Sequence, residues 1–476
     1  MKRAVIIGGG IAGLAAAYRL TRTAPGLAVT LIEGEARLGG KIVTERVEGF
    51  VIEGGPDTFL AYKPRGLGLC RELGLEDRLH GTNEKIRRTY VMRSGKLYEL
   101  PEGLTGLIPS RFEPMAKTGL ISPLGKLRMG LDYFIPPRSL NGDETLAAFV
   151  ERRLGRELYE RMIEPLMSGI YAGDGEELSL AATFPQLRQA ELEHGSLIKG
   201  MLAARKKAPP PRPDAKKWSA FLTPAAGLGE IVETLEQKLS EVEIRLGIPV
   251  TRVEAAAPGY SVSLDASRED RLLADAIIFA TPAFVTADLI STLDSQLSET
   301  LRAIPYVSTA TVSVAYPLTD IPRPLDGYGY IVPRAEGRPI LACTWTSTKF
   351  PHRAPEGYAL IRAFIGRAGQ EEALDASEEE LLALVREELR LTLGVTAPPK
   401  LCRVFRWPKA MPQYTLGHLD RLAVIEQRLA AQPGLFVAGN AYRGIGLPDC
   451  IASGEAAAAQ AAEFLTNHQL PANSNR

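Results

Sequence analysis

Residues 4–20 read AVIIGGGIAGLAAAYRL, an apolar run, a glycine triplet and a small-residue helical pattern. Gly8-Gly9-Gly10-Ile11-Ala12-Gly13 satisfies G-x-G-x-x-G where the motif has meaning, after a strand and at the start of a helix. Gly8 allows the tight turn, Gly10 lets backbone approach a pyrophosphate, and Gly13 lets helix and strand pack closely, while the helix N-terminus faces the anion. Working outward, VTLIEGE (29–35) is a second apolar strand that carries Glu33 and Gly34 at its end. Glu33 lies 20 residues past Gly13, where a carboxylate accepts the ribose hydroxyls of a dinucleotide. The chain therefore opens with a βαβ nucleotide-binding unit, and an α/β fold is expected.

At 476 residues the chain exceeds the roughly 250–300 at which one core stops growing, so two or three structural units are expected. Lys+Arg and Asp+Glu each number 56, leaving no net field to draw the surface toward nucleic acid, and no nucleic-acid partner is expected. Cys70, Cys343, Cys402 and Cys450 lack C-x-x-C spacing, which argues against a disulfide framework, a redox dithiol or a metal site. The start MKRAVIIGGG runs straight into a strand without a signal-peptide pattern. The most apolar stretch, AIIFATPAFVTA (276–287), is too short to cross a bilayer and is broken by Pro282. A cytoplasmic location is expected.

Farther along, VMRSGKLYEL (91–100) alternates like a hairpin about Ser94-Gly95 and is read as the end of a first cofactor-binding part, residues 1–100. Residues 101–205 are helical in period and rich in Pro and Gly. AARKKAPPPRPDAKK (203–217), with six basic residues and one acid, has the composition of an exposed mobile loop. A second cofactor part is read at 206–300, a sheet domain at 301–415, and a third cofactor part at 416–476. Ser377 with Glu380 forms a capping box ahead of a helix within the sheet domain.

RLGGK (37–41) places Gly40 and Lys41 just beyond the ribose acid, and it resembles the R-x-G-G motif of FAD-binding oxidoreductases. EGGPDTF (53–59) follows with Gly55, Pro56, Asp57 and Thr58. Near the other end, LFVAGN (435–440) and GIGLP (444–448) give a strand, a glycine turn and a helix, but no G-x-G-x-x-G and no ribose acid. In the flavin fold that the R-x-G-G motif resembles, such a segment returns as the other half of one FAD site, which implies that Gly439, Gly446, Leu447 and Pro448 lie at the flavin end, where helix N–H groups stabilise negative charge. Cys450 on this helix is read as a small packed thiol.

Taken together, the glycine motif, RLGGK, GGPDTF, EPLMSGIYAGD (164–174), CTWT (343–346), WPKAMPQYTLGH (407–418) and GIGLPDCIASG (444–454) resemble the porphyrinogen oxidases of haem synthesis, in order and through nearly the whole chain. GGPDTFLAYK, LMSGIYAGD and GLPDCI look most like the bacterial, Gram-positive-type branch. The resemblance implies a discontinuous Rossmann-like FAD domain, an inserted helical domain facing a membrane and a sheet domain that covers the substrate, with one FAD per chain. It implies oxidation of coproporphyrinogen III to coproporphyrin III in three two-electron steps, O2 being reduced to H2O2. Val250 and Trp407 join the expected cofactor contacts by the same resemblance. The reaction itself belongs to flavin N5, and no side-chain base is identified.

A macrocycle held by carboxylates calls for cations around an apolar slot. Lys63 is the first candidate for that role, followed by Arg443, Lys409 and His418, with Tyr171 packing on or hydrogen-bonding the ring edge. Residues 104–138 carry Arg111, Lys117, Lys126, Arg128 and Arg138 against Glu113 and Asp132 among apolar residues; packed helices with solvated charges are the favoured reading, with peripheral contact with the inner face of the cell membrane as the alternative, and a haem-pathway chelatase is a candidate partner. Three other readings stay open at this point: a protoporphyrinogen IX oxidase, a flavin amine oxidase, and a non-catalytic FAD-bound partner protein.

Overall fold

The computed structural model describes residues 1–102, 104–105, 108–109, 112–138, 142–207, 218–264 and 270–467. Arg111, most of the proline-rich 203–217 stretch and the last nine residues lie outside these. Stretches far apart in sequence meet in one five-stranded parallel sheet, in the spatial order Glu243–Leu246, Ala28–Glu33, Arg3–Ile7, Ala276–Phe279, Leu435–Val437. Ala4 sits opposite both Val29 and Ala276, and Ile278 opposite Phe436. Parallel strands covered on both faces read as nearly unbroken apolar runs, as Arg3–Ile7 and Ala276–Phe279 do, whereas the edge strand Glu243–Leu246 alternates with charges and stays partly exposed. Ala4, Ile6 and Ile278 pack beneath the helices Ile11–Thr23 and Leu447–Asn467. Val5, Ile7, Ile277 and Phe279 pack on the other face against Ala283, Ala287, Leu297 and Leu301. The period of two within each strand thus builds both layers.

A seven-stranded sheet forms the second body, ordered Leu401–Pro412, Tyr306–Pro317, Tyr358–Ile365, Ile340–Trp345, Gly329–Ile331, Tyr90–Arg93, Lys96–Glu99. The helix Glu378–Leu393 covers one face through Leu381, Val385, Leu389 and Leu393, and its capping box of Ser377 and Glu380 is present. Residues 90–99 do form the expected hairpin. It extends this sheet through parallel pairing of Tyr90 and Val91 with Tyr330 and Ile331, so it belongs to the sheet domain and not to the first cofactor part. Turn chemistry predicts a hairpin but not its neighbour, because an edge strand offers its unpaired groups to whatever lies beside it.

The third body is helical, with a core that includes Phe149, Met162, Met167, Tyr171, Leu180 and Leu187. Arg153, buried to 0% exposure, ties this body together. Its guanidinium bonds Asp132 at 2.5 Å and the carbonyls of Ile135, Pro136 and Gly195. No helix among the described residues is long and apolar enough to cross a membrane.

Candidate active site

The glycine turn leads into a helix whose N-terminal position, Gly10, carries no side-chain cap, leaving the first N–H groups of the helix open to a ligand. A Cβ on Gly13 would overlap the carbonyl oxygen of Gly8, so helix and strand approach closely only with glycine there. Around Gly10 there is room: a Cβ would stand 4.0 Å from Gly40 Cα, in the RLGGK loop that runs alongside. Glu33 ends its strand beside the turn. One carboxylate oxygen accepts from Gly9 N at 2.6 Å and the other from Glu35 N at 2.9 Å. A carboxylate has about four acceptor positions, so two remain for hydroxyl donors. Gly34 lies against Pro249, which brings Val250 to the same end of the sheet.

Gly54 to Thr58 form a loop between the two large bodies. A Cβ on Gly55 would overlap the carbonyl of Lys41, which wedges this loop against RLGGK. Lys41 is held below the usual lysine range by burial, with the Cys450 thiol acting in the opposite sense. Burial alone would raise the Asp57 carboxyl. The Lys349 ammonium, 3.1 Å from Asp57 Oδ2, and the Arg362 guanidinium outweigh it and hold Asp57 down at about 2.

The C-terminal turn completes the site. Lys63 donates to Asp449 Oδ2 at 2.5 Å, joining the stretch after GGPDTF to the first turn of the helix Leu447–Asn467. Asp449 Oδ2 also accepts from Gly446 N at 3.2 Å. Tyr171 is buried, its ring edge-on to Phe184 and Tyr414 at 5.8 and 6.2 Å between centroids. Burial pushes its hydroxyl pKa up, and the charge on Asp449 adds to that. The PQYTLGH stretch acts as a bracket. Gln413 Nε2 donates to the Tyr171 carbonyl at 2.9 Å, while Tyr414 Oη donates to Asn440 O at 2.6 Å and accepts from Gly444 N at 2.9 Å.

The other sequence-level candidates for substrate anchors are placed elsewhere. His418 is fully buried, stacked on Tyr414 at 4.2 Å, with Nε2 2.9 Å from the Tyr442 carbonyl. Burial pushes its pKa down to about 4, so it is neutral near pH 7 and carries no charge for a carboxylate. Arg443 turns outward to Glu426 at 2.6 Å, with 63% of its side chain exposed. Lys409 is exposed, its Nζ 5.5 Å over the Phe284 ring. Trp407 reaches the site through the loop: its indole N–H donates to Gly54 O at 2.9 Å.

A family model described as flavin containing amine oxidoreductase matches residues 11–462. The chain belongs to the flavin-containing amine oxidoreductase family. It is similar to the coproporphyrinogen III oxidase of Bacillus subtilis (strain 168), at 38% identity over 469 residues, covering 98% of each chain. It is also similar to the coproporphyrinogen III oxidase of Staphylococcus aureus, at 36% identity, covering 96% of this chain and 98% of the other. Among solved structures, the putative protoporphyrinogen oxidase from Exiguobacterium sp. 255-15 superposes with a TM-score of 0.85 at 35% identity, covering 98% of this chain and 99% of that one.

Membership of this flavin oxidoreductase family makes a flavin the expected occupant of the site, and the residues fit one. The helix start carries no side-chain cap, the face of Gly10 is open, Glu33 keeps free acceptor positions, and nothing crowds Gly439 at the returning strand. Sequence reasoning missed Asp449, Tyr414, Gln413, Lys349 and Arg362. The first three stand inside quoted motifs, and their role was open to question there. Lys349 follows CTWT by three residues, whereas nothing in the text around Arg362 distinguishes it from an ordinary strand arginine.

Proposed function

We propose that the chain binds one FAD and oxidises coproporphyrinogen III to coproporphyrin III with O2 as the final acceptor. The observation that carries this reading is the end-to-end likeness, at 38% identity, to a protein named for that activity. Six hydrogens leave the macrocycle in three steps, each as a hydride and a proton, and three O2 become three H2O2. The flavin, when bound, accepts each electron pair and passes it to O2. The chain's own residues bind and orient. The Gly8–Gly13 turn and its helix terminus would hold the pyrophosphate, Glu33 the ribose and Val250 backbone the adenine, and the Gly446–Pro448 turn would lie toward the ring. Lys63 is the cation for a substrate carboxylate; its pairing with Asp449 supports the reading in that its ammonium already holds a carboxylate partner. Tyr171 bounds the ring edge.

Aerobic turnover of coproporphyrinogen III beside protoporphyrinogen IX, followed by porphyrin fluorescence and H2O2, tests the reading. The expected result is at least a tenfold preference in kcat/KM for the four-carboxylate substrate. A preference for the two-propionate substrate would move the assignment to protoporphyrinogen oxidation.

A peripheral membrane contact is proposed on changed grounds. Among the described cations of residues 104–138, Lys117 pairs with Glu113, Lys126 with the Ala116 carbonyl, Arg128 with the carbonyls of residues 151–153, and Arg138 with Glu144. Beside the exposed Lys117–Glu113 pair and Arg138, the segment exposes an apolar group, Leu124, Leu127, Leu131 and Phe134. Binding to liposomes should therefore fail in Leu124→Asp/Phe134→Asp, and binding unchanged in that variant would contradict the proposal.

A further inference from the structure

Three adjacent strands of the seven-stranded sheet converge on one carbonyl oxygen of the cofactor loop. Gly54 O accepts from Thr311 Oγ1 at 2.9 Å, Trp407 Nε1 at 2.9 Å and Arg362 Nη2 at 3.1 Å. Thr311 lies on Tyr306–Pro317, Arg362 on Tyr358–Ile365 and Trp407 on Leu401–Pro412, neighbours in the sheet. A carbonyl oxygen has two lone pairs, so three donors saturate it and leave no room for a water or a slipped arrangement. Arg362 Nη2 reaches onward to the Gly55 carbonyl as well.

Arg362 is buried to 3% exposure, yet its Nε has no hydrogen-bond partner among the described residues. A buried guanidinium usually satisfies itself more fully, because an unpaired buried donor costs stability. Here the geometry gives up one donor so that the other end can hold two consecutive carbonyls. The loop so held continues into Gly55–Thr58, whose far side is wedged against Lys41.

We infer that Arg362, with Thr311 and Trp407, is the positioning device that registers the cofactor loop on the substrate sheet, and so sets the distance between bound flavin and bound substrate. The inference rests on the flavin and porphyrinogen reading above. Hydride transfer is steep in distance: a misplacement of about 1 Å costs on the order of a hundredfold. Lysine at 362 keeps the charge, but its shorter side chain stops short of the point where Nη2 meets both carbonyls. Valine at 311 removes one donor without changing charge or volume much.

The test compares Arg362→Lys, Thr311→Val and Trp407→Phe, each reconstituted to full FAD occupancy. Steady-state kinetics with coproporphyrinogen III and FAD dissociation measured without substrate are the two readouts. Arg362→Lys is expected to lower kcat at least tenfold with KM within threefold, and to raise the FAD dissociation constant about tenfold. Thr311→Val and Trp407→Phe should move both in the same direction by smaller factors, and they carry the test if Arg362→Lys does not fold. Flavin-replete variants with kcat and FAD affinity within twofold of the parent overturn the inference, even if their melting temperatures fall. Should the parent oxidise no porphyrinogen while the variants still lose FAD affinity, the substrate reading fails and the hold on the loop stands.

Discussion

Replacing Lys63 by Ala separates two roles that the structure allows for this residue. As a clamp, Lys63 joins the loop after GGPDTF to the C-terminal helix through Asp449, with side chains 34% and 20% exposed. A pair that open to water is worth about 0.5–1 kcal/mol, which in a chain of this size lowers the melting temperature by less than about 4 °C. As an anchor, Lys63 would exchange Asp449 for a substrate carboxylate, and with the macrocycle covering the pair a charge-assisted hydrogen bond is worth about 1.5–3 kcal/mol. At about 1.4 kcal/mol per factor of ten, losing it weakens binding roughly 10- to 150-fold. The contact exists in ground and transition states alike, so the loss should appear in KM with kcat little changed. The assay is porphyrin fluorescence against coproporphyrinogen III concentration, alongside flavin absorbance and a thermal melt. Asp449→Asn frees the ammonium without removing it, and should leave KM unchanged or lower. A Lys63→Ala enzyme with full flavin, a slightly lower melting temperature and KM within twofold of the parent would refute the anchor and leave only the clamp.

Three other outcomes follow from the same geometry. Gly10→Val fills the open space beside Gly40, so the protein should fold, with an unchanged far-ultraviolet spectrum, yet elute from gel filtration without flavin. Folding lowers the pKa of His418 from 6.5 to about 4, so the unfolded chain takes up the proton first as pH falls. This contribution is intact above about pH 6.5 and is lost progressively toward pH 4. At about 1.4 kcal/mol per pH unit it amounts to roughly 3 kcal/mol, and denaturant melts of His418→Gln should show a correspondingly shallower acid slope. Burial pushes the Cys450 thiol up to about 12, so the native protein should leave Cys450 unmodified by iodoacetamide at pH 8, as mass spectrometry of tryptic peptides would show.

Much of the site was legible in the sequence because its chemistry is local. Strand, glycine turn, helix and Glu33 lie within 30 residues, and backbone geometry over so short a span follows from residue type. The returning C-terminal half was legible for a similar reason, since GIGLP followed by a small-residue run encodes a turn and a helix start. Side-chain partners were not. His418 reads as a cation beside a flavin motif, but stacking on Tyr414 buries it and makes it neutral. Arg443 reads as an anchor until Glu426, on the adjoining helix, draws it outward.

The sequence by itself determined the opening βαβ unit and its apolar strands, because apolar period and turn chemistry are written in consecutive residues, and its motifs pointed by resemblance to the family and to a split cofactor domain. Only the tertiary structure decided which partner each charge meets. Lys63 meets Asp449 across 386 positions, and Arg362 meets Gly54 across 308. Such pairings depend on how the sheet, helical and cofactor bodies pack, and a charged side chain's role is set by the partner and the burial that packing supplies.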